Sequence, residues 1–226
     1  MSPLARGVAP RLYVVADRGI FPTDRAWLAR LDTIARLAAD APDVWLQVRI
    51  RLPDAAARAR RAVQARTVLA AAGGDALLER TLLNGTAAEA LAAGYRGVHW
   101  QEAAIPDPSD PSDPSDPSTD QLVVGASIHS VAALVRAVDA GADFALFGPV
   151  FDAGSKPVRG VGIEALRRVT SGARIPVVAI GGIAPIDVVA CRRAGAVGVA
   201  AITGVLLAPD PAQAMADYLA AFEGPA

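Results

Sequence analysis

The stretch PVVAIGGIAPIDVVACRRAGAVGVAAITG, residues 176–204, decides the fold of this chain. It contains two short apolar runs, and between them lies a segment with the apolar spacing of a helix, which ends at a glycine. Apolar runs without polar alternation are typical of parallel strands that are covered on both faces. A strand, a helix and a second parallel strand form a βαβ unit, so the stretch predicts a parallel sheet with helices packed on it.

The same alternation of strand and helix extends over the whole chain. Eight apolar runs predict strands, and the intervals between most of them carry helical periodicity. Eight strands in 226 residues match an α/β fold, a single (β/α)8 TIM barrel with residues 1–226 in one domain. A doubly wound open sheet is the weaker alternative, because no GxGxxG motif follows the first strand. The predicted strands are RLYVVAD, VWLQVRIR, TLLNG, GVHW, QLVVGAS, FALFGPV, PVVAIGG and VGVAAITG.

One interval breaks the alternation. Between GVHW and QLVVGAS, where a helix is due, the chain reads AAIPDPSDPSDPSDPSTDQ. Proline at every third position removes backbone donors and excludes an α-helix. The low-complexity insertion at about residues 104–120 therefore predicts a solvated loop rich in proline, serine and aspartate, which replaces the helix after the fourth strand.

Composition narrows the class of protein. The chain is 53% apolar, enough for a large core, and its net charge of −1 provides no basic stripe for nucleic acid or an anionic membrane. No charge-free run reaches 18 residues and the start, MSPLARGVAP, is unlike a signal peptide, so a cytoplasmic protein is expected. The single cysteine, Cys191, excludes an internal disulfide and a cysteine-based zinc cluster. The oligomeric state stays open, with a homodimer as one option.

Residues at the carboxyl ends of barrel strands point into one shared mouth, so candidate site residues are sought there. On the second strand, Gln47, Arg49 and Arg51 lie on the same side of the chain. Arginine is rarely buried without a partner, so this side is expected to meet water or an anion. The sequence therefore predicts an anionic substrate. Ion pairs with neighbouring carboxylates are the alternative for these arginines.

Glycine-bearing turns follow the seventh strand, at Gly181 and Gly182, and the eighth strand, next to Thr203. Where no Cβ is present, backbone amides approach an oxyanion closely, and a following helix adds partial positive charge. Loops after the last two strands are the recurrent phosphate site of this architecture, so a phosphate site is predicted, with a plain tight turn as the alternative. Lys156, the only lysine of the chain, follows Ser155 in the loop after the sixth strand and would add positive charge.

The two histidines differ in their context. His99 lies between bulky apolar residues in GVHW, which favours a hydrogen-bonded imidazole in the core. His129 follows a complete apolar strand and precedes a helix that Ser130 could cap, which puts its imidazole near the mouth. Imidazole titrates near neutral pH, so His129 is a candidate general acid or base, with a polar cap as the alternative. Carboxylates are scarce at the strand ends. Asn84 ends the third strand and is followed by glycine, and only Glu102 is available near the fourth, so no strong Mg2+ site is predicted.

In this order, LYVVAD, LQVRIR, LLNG, GVHW, GADFALFGPVF, SKP, IPVVAIGGI and AGAVGVAAITGV resemble the thiamine phosphate synthase superfamily, from about Leu12 to Val205. The resemblance implies a (β/α)8 barrel that binds a thiazole phosphate at its mouth. It also implies one of two activities. The synthases use Mg2+, held by aspartates, to handle a pyrimidine pyrophosphate. The thiazole tautomerases transfer protons on the thiazole phosphate alone and need no metal.

Departures from the synthase pattern make the tautomerase the preferred interpretation. Gly85 stands where the synthases have the first metal-binding aspartate, and Ala103 stands where they have the second. Arg51 replaces the synthase lysine that faces the pyrophosphate. The pair of Asn84 with the following glycine, and His129 with its flanking isoleucine and serine, instead resemble the tautomerase pattern.

The resemblance to tautomerases implies a role for each candidate. His129 would convert the exocyclic-alkene tautomer of carboxythiazole phosphate into the aromatic one without a cofactor. The loops after the seventh and eighth strands would hold the phosphate of the substrate. Arg49 and Lys156 would bind its carboxylate, and Gln47 would orient the thiazole ring. Two alternatives remain: a thiamine phosphate synthase in which Glu102 and the substrate phosphates hold Mg2+, and a non-catalytic regulator that binds a phosphate ligand. The predicted substrate-binding residues are Gln47, Arg49, Arg51, Asn84, Ser130, Ser155, Lys156, Gly181, Gly182, Ile202 and Thr203.

Overall fold

Eight parallel strands close into one barrel in the computed structural model, which describes residues 8–107, 117–152 and 159–224. Each strand pairs with the next along the chain, and β8 pairs with β1. The predicted (β/α)8 barrel is therefore confirmed, with all eight strands where the apolar runs place them. The strands are β1 (Leu12–Asp17), β2 (Val44–Arg49), β3 (Thr81–Asn84), β4 (Gly97–Trp100), β5 (Val123–Ile128), β6 (Phe144–Phe147), β7 (Val177–Ile180) and β8 (Gly198–Ala201).

Helices surround the barrel and connect most successive strands. Several begin at a side-chain oxygen that accepts a backbone N–H of the first turn, as at Thr23, Asp54 and Thr86. The helices are α1 (Asp24–Ala39), α2 (Ala55–Leu78), α3 (Ala87–Ala92), α4 (Val131–Asp139), α5 (Ile163–Thr170), α6 (Val188–Arg193), α7 (Thr203–Leu206) and α8 (Pro211–Glu223).

The connection between β4 and β5 differs from the others. Its described residues form two short 3-10 helices, Glu102–Ala104 and Pro117–Gln121. Residues 108–116, which hold most of the proline repeat, lie outside the described residues. The replacement of a helix by this loop therefore stays a prediction.

Strand side chains alternate between two apolar layers. One layer lies between the barrel and its helices, and the other fills the barrel interior around Tyr13, Trp45 and Phe144. Phe144 packs edge-on against Tyr13, with ring centroids 5.6 Å apart. Because inward positions recur every second residue, Asp17 and Arg49 occupy inward positions at the carboxyl ends of β1 and β2. The alternation that builds the core therefore also aims these charged groups at the mouth.

Over the described ranges, the structure contains no helix that is both long enough and apolar enough to cross a membrane. The assignment of residues 1–226 to a single domain stays a prediction, because both termini and two internal segments lie outside those ranges.

Candidate active site

A pocket of about 530 Å³ opens at the carboxyl end of the barrel. It is bordered by the ends of β1, β2, β7 and β8, by the segment after β6, and by α8. The predicted residues Ser155 and Lys156 lie outside the described residues. The predicted residues that the structure brings together around this pocket are Arg49, Arg51, Gly181, Gly182, Ile202 and Thr203.

The loop after β7 needs glycine at two consecutive positions. Gly181 and Gly182 have φ values of +101° and +62°, a region that side chains with a Cβ rarely adopt. A Cβ on Gly182 would also lie 2.5 Å from the carbonyl oxygen of Asp152. Both glycines also line the pocket, so their backbone borders it. Such a backbone suits the close approach of a phosphate, as the sequence predicts.

Two arginines border the same pocket and share one carboxylate. Arg51 Nη2 donates to Asp17 Oδ2 at 2.8 Å, and Arg49 Nη1 lies 3.6 Å from the same oxygen. Asp17, almost fully buried, also accepts from the backbone N–H of Gly19 at 2.8 Å. Burial lowers the pKa of Arg49, the neighbouring Arg51 lowers it further, and Asp17 raises it. Ion pairing and exposure to the pocket, the two alternatives for these arginines, thus occur together.

The expectation that carboxylates are scarce at the mouth is wrong. Asp17, Asp152 and Asp217 all line the pocket. Asp17 is the last residue of β1, so the strand-end rule that finds Arg49 on β2 would have found it. Asp217 lies in α8, which no strand-end rule reaches.

His129 belongs to a second cluster, on the β4–β5 side of the mouth. Its Nδ1 lies 2.5 Å from Glu102 Oε2, and Arg136 Nη2 lies 3.6 Å from the other carboxylate oxygen. The His129 side chain is 61% exposed. Ser130 Oγ accepts from the backbone N–H of Ala133 at 3.1 Å, which confirms the predicted helix cap. His129 and Ser130 are not among the described residues that line the 530 Å³ pocket.

Gln47 and Asn84 also lie away from the pocket. Gln47 is buried in the barrel interior, one inward position below Arg49, and its Nε2 donates to the Tyr13 hydroxyl at 3.4 Å. Asn84 donates its Nδ2 to the backbone oxygen of His99 at 3.1 Å and borders a separate apolar cavity between α2 and α3. Their substrate-binding roles stay predictions, and the position of neither side chain favours them.

The structure confirms that His99 is a core imidazole. The ring is fully buried, with Nδ1 3.3 Å from the Tyr13 hydroxyl and Nε2 2.9 Å from Ser127 Oγ. Burial lowers the pKa of His99 to about 3, and the charge of Arg49 lowers it as well. The imidazole is therefore neutral at ordinary pH, and it links the barrel interior to Ser127 at the rim.

The resemblance to synthases implies Mg2+, which is usually bound through carboxylates. Gly85 and Ala103 stand at the two positions where the synthases have metal-binding aspartates. Neither residue has a side-chain oxygen. Glu102 is engaged by His129, and Asp17 by two arginines. Among the residues that the structure describes, no group of three or more His, Cys, Asp or Glu could hold a metal ion. These residues do not fit a Mg2+ site built from protein side chains.

Comparison with known proteins assigns the family. Residues 12–205 match the family described as thiamine monophosphate synthase. The thiamine-phosphate synthase of Anaeromyxobacter dehalogenans (strain 2CP-C) is 40% identical over 178 residues, which cover 78% of this chain and 77% of that protein. The thiamine-phosphate synthase of Methanoculleus marisnigri is 36% identical over 201 residues, covering 86% and 87%.

A solved structure agrees with the sequence comparisons. The thiamine phosphate pyrophosphorylase from Pyrococcus furiosus superposes with a TM-score of 0.68 at 25% identity, covering 94% of this chain and 95% of that one. The shared barrel, the match over residues 12–205 and the identity to these synthases lead to one conclusion: the chain belongs to the thiamine monophosphate synthase family.

Proposed function

We propose that this chain catalyses the reaction for which its relatives are named, the joining of a thiazole phosphate and a pyrimidine pyrophosphate into thiamine phosphate. The observation that carries the proposal is one pocket that brings together two features suited to anions, the glycine loop after β7 and the arginine pair at the end of β2. A reaction between two phosphorylated substrates needs two such features. The two relatives named thiamine-phosphate synthase support this alternative over the tautomerase that the sequence favours.

In this proposal each feature has a defined task. The loop at Gly181 and Gly182, whose backbone borders the pocket, receives the phosphate of the thiazole. Arg49 and Arg51 bind the pyrophosphate and neutralise the charge that develops as it leaves. Asp17 holds the two guanidinium groups at the rim of the pocket.

The test is a synthesis assay. The purified chain is given hydroxymethylpyrimidine pyrophosphate and thiazole phosphate, with Mg2+ in one series and EDTA in the other, and thiamine phosphate is quantified. We expect product, and we expect Arg51→Met to lower its rate by about tenfold or more through loss of a charged hydrogen-bond donor. Arg167→Met, which removes an exposed arginine on α5, is the matched control. Absence of product in both series contradicts the proposal.

The tautomerase is a second candidate, favoured by a different observation. Glu102 holds His129 through Nδ1, so Nε2 is the ring nitrogen left to exchange a proton with a ligand. Gly85 and Ala103 have no side-chain oxygen for a metal, and tautomerisation needs no metal. The position of His129 outside the lining of the pocket counts against this candidate. Conversion of the labile carboxythiazole phosphate tautomer by a sample that forms no thiamine phosphate would establish it.

Under either reaction the proposed ligands are small phosphorylated molecules. Turnover in either assay would contradict the non-catalytic regulator. The cytoplasmic location, the lack of nucleic-acid and membrane partners, and the homodimer remain predictions.

A further inference from the structure

The carboxylates that the structure describes around the mouth already have protein partners. Asp17 faces two arginines, and Glu102 lies between His129 and Arg136. Asp152 Oδ1 accepts from the backbone N–H of Gly160 at 2.7 Å, and Asp217 Oδ1 accepts from Gln213 Nε2 at 2.7 Å. Binding a divalent ion through Asp17 or Glu102 would therefore require an existing ion pair to open. At Asp17 the exchange would leave the largely buried Arg49 without its counter-charge, and that cost opposes it.

The arginine pair at the mouth carries more positive charge than its carboxylate partner neutralises. Arg49 and Arg51 together carry two positive charges, and the single carboxylate of Asp17 balances one of them. The Arg51 side chain is 43% exposed, so its guanidinium reaches the pocket while it bonds Asp17. A guanidinium has five N–H donors in a planar fork, a geometry that matches phosphate oxygens. The bond from Arg51 to Asp17 leaves donors for a second partner.

We infer that the pocket binds a diphosphate through Arg49 and Arg51, positioned by Asp17, without a divalent cation held by the carboxylates that the structure describes. This inference rests on the proposed function only for the identity of the anion. It separates the chain from a synthase site in which aspartates hold Mg2+. The arginine pair supplies a fixed charge, because guanidinium groups stay protonated at ordinary pH.

The test is calorimetric titration of the full chain with inorganic pyrophosphate, in EDTA and then in Mg2+. We expect binding in EDTA that is no weaker than in Mg2+, since the arginines supply the charged donors and Mg2+ in solution competes with them for the phosphate oxygens. Arg51→Met is expected to weaken binding in EDTA by about tenfold or more, and Arg167→Met to leave it unchanged. Binding that appears only with Mg2+, or no binding in either series, overturns the inference.

A second readout looks for the metal itself. Mn2+ added to the chain, with and without pyrophosphate, is followed by electron paramagnetic resonance. In the absence of pyrophosphate we expect only the signal of Mn2+ in solution. A tightly protein-bound signal in the absence of pyrophosphate overturns the inference.

The two proposals fail in different ways. Metal-free pyrophosphate binding without formation of thiamine phosphate leaves the inference standing and removes the proposed function. If thiamine phosphate forms only with Mg2+ and pyrophosphate binding also depends on Mg2+, the proposed function stands and the inference is overturned.

Discussion

Asp17 accepts a hydrogen bond of 2.8 Å from Arg51 at the carboxyl edge of the barrel. The carboxylate is almost fully buried, whereas the arginine reaches the solvent of the pocket. Arg49 approaches the same oxygen from the register position opposite Asp17. One buried carboxylate thus orients two guanidinium groups, and its removal should affect both stability and anion binding.

We predict that Asp17→Asn lowers the free energy of unfolding by about 1–3 kcal/mol, because Arg49 loses its counter-charge in a largely buried position. Asparagine keeps an oxygen for the N–H of Gly19, so the loss reports on the charge. Urea denaturation measures it. Glu164→Gln, which breaks an exposed pair with Arg167 on α5, is the control and should leave stability unchanged. Equal stability of the two variants would show that the arginines do not depend on Asp17.

Gly182→Ala tests the phosphate loop. A left-handed backbone conformation costs alanine about 1–2 kcal/mol. The alanine Cβ would also lie 2.5 Å from the carbonyl oxygen of Asp152, so the loop must shift. We expect the affinity for inorganic phosphate, measured by calorimetry, to fall by about tenfold or more. Gly141→Ala is the matched control, since Gly141 also has positive φ, +86°, but open space around its Cβ. Phosphate affinity that survives in Gly182→Ala would remove this loop from the site.

The buried His99 predicts a dependence of stability on pH. Burial lowers its pKa to about 3, while an unfolded histidine titrates at about 6.5. Between these values the unfolded chain binds a proton that the folded chain does not, so stability falls on acidification by about 1.4 kcal/mol per pH unit. Above about pH 6.5 the full contribution is present.

His99→Gln isolates this contribution. Urea denaturation between about pH 6.5 and about pH 4.5 should show a shallower loss of stability for the variant than for the wild type. Other titrating groups are common to both proteins and cancel in the difference. Parallel curves would show that His99 carries no such proton linkage.

His129→Asn tests the second candidate function. If His129 is the general acid or base, conversion of the carboxythiazole phosphate tautomer should fall by about 10²- to 10⁴-fold. Phosphate binding should persist, because His129 does not line the pocket. The conversion is followed by detection of the aromatic product. An unchanged rate takes His129 out of the mechanism.

Strand ends explain which site residues can be predicted from sequence. Arg49 and the glycines after β7 follow apolar runs, and that pattern alone places them at the mouth. Gln47 satisfies the same pattern yet is buried, because the depth of a residue depends on how the neighbouring strands close over it. Asp217 reaches the pocket from α8, through helix packing that no strand pattern encodes.

Apolar periodicity along the chain is enough to predict the eight strands, their order, the barrel and the glycine loop, because these depend on neighbours close in sequence. The partners of the charged groups at the mouth are decided only by the closed barrel. Asp17 and Arg51 are 34 residues apart, and Glu102 and His129 are 27 apart. Strand register and barrel closure bring such residues within hydrogen-bonding distance, so tertiary structure determines which carboxylate neutralises which cation.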